Sequence, residues 1–288
     1  MNRAAADGGA RRGILLVAGA ALLWSTGGLG IKALVDPPLK VAFFRSAVAA
    51  VALLLYFRPR LPRLTPGFLS AIASYAACLI TFVIATRWTS AANAIFLQYS
   101  GVVWVLLFSP LVVKEPLEKR DAAAIGIALA GMALFFLGRF DSPGRAGDAV
   151  ALLSGVFFAA LVLSLRRERG AGAEAAVAWG NVATAVVLLP FVASDLSLSP
   201  RSAGVLLLLG IFQLAGAYIL FVRGIDTVTA TQASLVGMLE PIANPIWVFL
   251  FLGERPGALS ILGGLVVLSA IGWRTWTGAP PTTVPAPD

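Results

Sequence analysis

Between Gly13 and Trp276 the sequence offers ten apolar stretches joined by short polar links. Most come close to the roughly 20 residues that carry a helix across the hydrocarbon core of a bilayer. They lie at Gly13–Leu34, Leu39–Tyr56, Gly67–Thr86, Ala91–Val113, Ala122–Leu137, Asp148–Leu165, Ala175–Ala193, Ser202–Val222, Thr229–Leu252 and Gly257–Trp276. Each is apolar all round instead of alternating with polar residues, which argues against a β-barrel. With 59% hydrophobic and 12% charged residues, no soluble fold of 288 residues could cover its apolar surface. The expectation is an all-α integral membrane protein with ten transmembrane helices. The opening "RRGILLVAGAALLW" has the basic flank of a signal peptide, but its apolar run continues too far, so it reads as an uncleaved first span. The closing "TGAPPTTVPAPD" has nothing to bury and reads as a disordered tail over residues 277–288.

A net charge of +8 invites a nucleic-acid reading, which fails once the charges are placed along the chain. With the N-terminus in the cytoplasm, 14 of the 22 Lys and Arg fall on inside joints and seven on outside ones, leaving Arg45 within a span. That bias follows the positive-inside rule and puts both termini in the cytoplasm, with the lipid bilayer as the partner and the inner, cytoplasmic membrane as the location. Cys78 is the only cysteine and His is absent, which removes disulfides, zinc sites, nucleophile–His pairs and His proton relays. No nucleotide-binding motif, cofactor or metal site is expected.

The chain also repeats itself. A shift of 139 positions lays "FVIATRWTSAANA" on "FVRGIDTVTATQA" without a gap and carries Leu111 onto Leu250 and Glu115 onto Glu254. Two units of five spans follow, residues 1–138 and 139–276. Because five is odd, the second must enter the membrane from the opposite side. Inverted repeats of this kind characterise transporters, whose substrate site lies near the midplane between the repeats.

The segments "ATRWTSAANAIFLQYSGVVWVLLFSPLVVKEPLEKRDAAAIGIALAGMALFF" and "AYILFVRGIDTVTATQASLVGMLEPIANPIWVFLFLGERPGALSILGGLVVLSAIG" resemble the EamA-type module of the drug/metabolite transporter superfamily, and the YddG-like amino-acid exporters within it. The resemblance spans both halves. It implies a ten-helix transporter, not an enzyme, that moves amino acids, other metabolites or toxic cations. Monomer and homodimer are both compatible with it.

Of the 14 acidic residues, Glu240 alone lies near the centre of a span. Burial there costs a few kcal/mol. Either Glu240 meets a substrate ammonium or a proton, or it satisfies backbone groups freed by a kink at Gly237, Pro241 and Pro245. Pro110 is a second candidate kink. Gln232, Val236, Glu240 and Asn244 recur at steps of four and predict one polar face, whose repeat counterparts are Asn93, Leu97, Gly101 and Val105. Trp24, Tyr75, Tyr99, Trp179 and Gln213 sit at depths suited to a binding pocket. Tyr218 joins them because "AYILFVRG" resembles the family's eighth-helix pattern. Arg45, near the outer end of its span, is expected to snorkel to the interface. Glu115 and Glu254 are expected to cap neighbouring helices, and Gly126, Gly131, Gly263 and Gly264 to pack them closely. The expected function is secondary transport of small amphipathic metabolites, amino acids foremost, by alternating access. Export of drugs or cations is the alternative, and an intramembrane enzyme a remote one.

Overall fold

The computed structural model describes residues 3–60, 63–89, 91–116, 118–137, 144–252 and 258–277, all helix and connecting turns with no strand among them. Glu254 and most of the 277–288 tail lie outside the described residues, as does the side chain of Asn244. The helices are α1 (Arg3–Trp24), α2 (Gly27–Lys32), α3 (Pro38–Phe57), α4 (Pro66–Trp88), α5 (Ala91–Gln98), α6 (Gly101–Val112) and α7 (Lys119–Phe136). Then follow α8 (Arg145–Val192), α9 (Pro200–Leu208), a π-helical stretch over Leu209–Gly216, α10 (Ala217–Ile225), α11 (Ala230–Gly237), α12 (Leu239–Leu252) and α13 (Ala258–Thr277).

Local chemistry sets where the helices begin. Pro66 and Pro200 sit in first turns, where a missing amide hydrogen costs nothing. The hydroxyls of Thr65 and Ser199 before them accept the Phe68 and Ser202 amides. The stretch labelled α8 is two helices that meet at Arg169 and Gly170, where the backbone turns left-handed, and the expected spans Asp148–Leu165 and Ala175–Ala193 fall on either side of that break. The joint "RRERGAGAEA" is short, and Gly170 supplies the positive φ that lets the chain reverse in two residues.

Six helical stretches among the described residues are long and apolar enough to cross a membrane, and Ile261–Thr277 is a shorter apolar one. Their outer faces expose Leu15, Leu55, Leu111 and Phe191, a surface suited to lipid and not to water. Inside, α8 packs along α4 and α3, α7 against α13, and α1 against α10. Small residues permit the closest crossings. A side chain at Gly101 would run into the Gly155 carbonyl, and one at Gly131 into Gly263 and Val266. Gly126, expected to do the same, faces open space.

Candidate functional site

Within the expected spans, the described helices are interrupted at four places: Ser25–Thr26 between α1 and α2, Tyr99–Ser100 between α5 and α6, the π-helical stretch, and Met238 between α11 and α12. Residues beside all four line one interior cavity, among them Trp24, Gln98, Gln213, Leu214 and Glu240. Irregular backbone at membrane depth is tolerated only when protein buries it or when it lines a cavity, and substrate sites of transporters are commonly built from discontinuous helices. The π-helical stretch brings α3 close as well, since Gly210 leaves room for Val48 and for the Arg45 carbonyl.

Arg45, Cys78, Leu79, Phe82, Phe158 and Tyr218 complete the lining. Trp24 stacks edge-on to Tyr218 with ring centroids 5.1 Å apart and tilts against Phe221 at the same distance. The cavity holds about 40 Å³, room for a few waters. Small-molecule sites typically need about 300 Å³ or more, so the helices must part before a metabolite enters. Larger clefts exist, such as one lined by Trp104, Phe108 and Val156, but those side chains belong to the exposed apolar surface.

Glu240, in the first turn of α12, is buried. The Tyr99 hydroxyl lies 2.5 Å from the Gly237 carbonyl oxygen and 2.9 Å from Glu240 Oε2. A carbonyl can only accept and a phenol carries one proton. When that proton goes to Gly237, the contact with Glu240 is a hydrogen bond only if the carboxyl carries a proton of its own. Tyr99 thus ties the break in the second half to the break in the first. Gly237 ends α11 and lies four residues before Pro241, which has no amide hydrogen to offer the Gly237 carbonyl, so the Tyr99 hydroxyl takes that place at the break. Pro110 lies within α6, near its end.

The expected pocket residues scatter. Trp24, Gln213, Tyr218 and Glu240 line the cavity, with Gln213 Nε2 donating to the Trp24 carbonyl at 3.4 Å. Tyr75 is fully buried behind Tyr218, at 4.8 Å between centroids, and accepts a hydrogen bond from Asn181 at 2.6 Å. Trp179 is half-buried and outside the lining. Asn93 sits away from the cavity, where its amide reaches Thr89 Oγ1 and Asp148 Oδ1. Gln232 is a correction: it forms a capping box with Thr229 at the start of α11. The break at Met238 also interrupts the step-of-four face, so Gln232 and Glu240 do not share a continuous helix.

Among the cavity residues that the sequence did not mark as pocket lining, two are strongly polar, Gln98 and Arg45. Gln98, next to Tyr99, donates to Ser154 Oγ at 2.8 Å. Arg45 reverses an expectation: it does not snorkel but is 1% exposed, lines the cavity, and leaves Nε and Nη1 without a hydrogen-bond partner among the described residues. Its signal was that it lies farther from the end of an expected span than any other basic residue.

Each end of the bundle carries its own polar cluster. At one, Arg166 Nε donates to Glu115 Oε1 at 2.6 Å and Arg166 Nη1 to the Ile225 carbonyl at 2.5 Å, while Glu115 Oε2 accepts the Ala230 amide at 2.9 Å. At the other, Lys40 reaches Asp195 at 2.9 Å, and hydrogen bonds from Ser197 and from Lys40 hold the Asp195 carboxyl down to about 2.

A family model of EamA-like transporters matches the chain twice, over residues 11–137 and 145–274. An uncharacterized transporter of Archaeoglobus fulgidus is 25% identical over 89% of this chain and 95% of the relative. The pseudopaline exporter CntI of Pseudomonas aeruginosa is 27% identical over 81% of this chain and 84% of the relative. A solved crystal structure superposes with a TM-score of 0.77 at 17% identity, covering 96% of this chain and 97% of that one, which supports the fold alone. Two matches to one transporter model, on a chain of buried helix breaks around a shared cavity, identify a multi-pass membrane protein that belongs to the EamA-like transporter family.

Proposed function

We propose that the protein is a secondary transporter that exports small amphipathic metabolites, amino acids foremost, across the cytoplasmic membrane by exposing its cavity alternately to either side. The observation that carries the reading is the cavity lining, which combines a carboxylate at Glu240, amides at Gln98 and Gln213, and the aromatic faces of Trp24 and Tyr218. The carboxylate and aromatic faces suit an ammonium, the amides orient polar ends, and the rings suit an apolar side chain. Relatives named as transporters, and one named as an exporter, support transport and its direction.

The architecture proposed with it is ten transmembrane helices in two inverted five-helix units, residues 1–138 and 139–276, with both termini cytoplasmic. Support comes from α5 and α11, whose bounds coincide after a shift of 139 residues and which each end at a break. Labelling of single introduced cysteines should find both termini on the cytoplasmic face, and opposite faces would overturn the scheme. The alternative, export of drugs or cations, is disfavoured by Arg45, a fixed positive charge in the same cavity. Counterflow in proteoliposomes tests the choice. Accumulation of labelled neutral amino acids is expected. Movement of a cationic dye down a proton gradient, with no amino-acid exchange, would reject the reading.

A further inference from the structure

Four basic side chains are buried among the described residues: Lys40, Arg45, Arg166 and Arg274. Lys40 pairs with Asp195, Arg166 with Glu115, and Arg274 with Asp121 and Glu118. Arg45 alone of the four makes no ion pair among the described residues. It lines the cavity together with Glu240, yet no ion pair joins the two. A buried charge without a partner is costly enough that membrane proteins keep one mainly where it has work to do.

We infer that Arg45 is the binding residue for a substrate carboxylate, so that the transported compounds carry a carboxylate on an apolar or aromatic body. This rests on the proposed function and deepens it. Three features set the ligand class. A guanidinium presents a planar fork that matches the two oxygens of a carboxylate, and Nε and Nη1 of Arg45 have no hydrogen-bond partner among the described residues, so donors remain for such a group. Among the cavity-lining residues Arg45 is the one base, opposed by the acid Glu240. A single base suits a monoanionic group, whereas a phosphate would call for further basic partners. Beside the amides of Gln98 and Gln213, most of the remaining lining, Trp24, Leu79, Phe82, Phe158, Leu214 and Tyr218, is apolar or aromatic and suits the body of such a ligand. An ammonium on the same molecule would face Glu240.

The test uses the purified full-length protein and four probes: L-phenylalanine, its methyl ester, N-acetyl-L-phenylalanine and 3-phenylpropionate. Binding is read as ligand-dependent thermal stabilisation, and transport as counterflow of labelled phenylalanine. The ester lacks the carboxylate and should bind about tenfold or more weakly than the parent, while both carboxylate-only probes retain binding. In Arg45→Gln the preference for acid over ester should vanish, and Arg45→Lys should restore part of it. If Arg45→Gln does not fold, the acid and ester pair on the unaltered protein decides. An ester that binds as well as the acid, a preference that survives in Arg45→Gln, or no binding by any carboxylate probe overturns the inference. Counterflow separates this from the function itself. Phenylalanine exchange with no preference for the carboxylate would sink the role of Arg45 and leave amino-acid transport standing. Arg45-dependent binding of phenylpropionate with no amino-acid exchange would do the reverse.

Discussion

The same helix break occurs in both halves of the chain, at Tyr99–Ser100 and at Met238, but the two are furnished differently. After the break in the first half, Gly101 presses against the Gly155 carbonyl and leaves no space beside it. The repeat position in the second half is Glu240, which faces the cavity. At the break itself the first half places a phenol and the second an open carbonyl, and the phenol bridges to it. Symmetry thus supplies the scaffold, and departures from symmetry supply the chemistry. One half closes its break by packing while the other leaves polar groups available.

Substitutions in either half should expose this division, beginning with the harshest. Gly101→Leu forces a side chain into the α8 backbone, and folded protein should be lost. A monodisperse, heat-stable Gly101→Leu protein would show that the first-half break is not a packing contact. Glu115→Ala leaves Arg166 buried without its partner and the Ala230 amide unpaired, and should cost about 3–5 kcal/mol of stability. Thermal melting in detergent reads it, and a change within error would place that ion pair in solvent. Tyr99→Phe strips the bridge from the Gly237 carbonyl and should cost about 1–3 kcal/mol, with a larger effect on transport than on melting. Equal effects on both would make Tyr99 a packing residue. Glu240→Gln keeps the shape but cannot release a proton. If Glu240 exchanges protons, amino-acid exchange should persist while net efflux stops responding to pH, and retained pH dependence would remove it from proton traffic; if it meets the substrate ammonium, exchange itself should fall. Gln232→Ala should be mildest, a loss of about 1 kcal/mol from the α11 cap with selectivity unchanged. Altered selectivity would return Gln232 to the pocket.

Much of the scaffold was legible in the sequence. The apolar runs mark the helices because burial in lipid demands them, and the 139-residue shift marks α5 and α11 as equivalents. Glu240 stood out because a mid-span carboxylate is expensive. Arg45 did not, because α3 is apolar on every side and has no polar stripe to show which way each residue points. Depth along the helix could be guessed from position, but rotation about its axis comes from packing against α8 and the π-helical stretch. That stretch has no sequence mark of its own. Gln232 was legible in principle, since Thr229 and Gln232 have the spacing of a capping box, yet the step-of-four pattern through Glu240 was read first. That pattern presumed an unbroken helix.

The junction of Glu115, Arg166 and Ala230 has a consequence for traffic. A carboxylate from the first half neutralises the amide end of a helix in the second, in a dry setting where neither group has water to fall back on. Prising the halves apart at that end must rehydrate both charges at once, so thermal fluctuation alone opens it seldom. The protein should rest shut there, with little idle leakage, and turn over only when cargo repays the rupture.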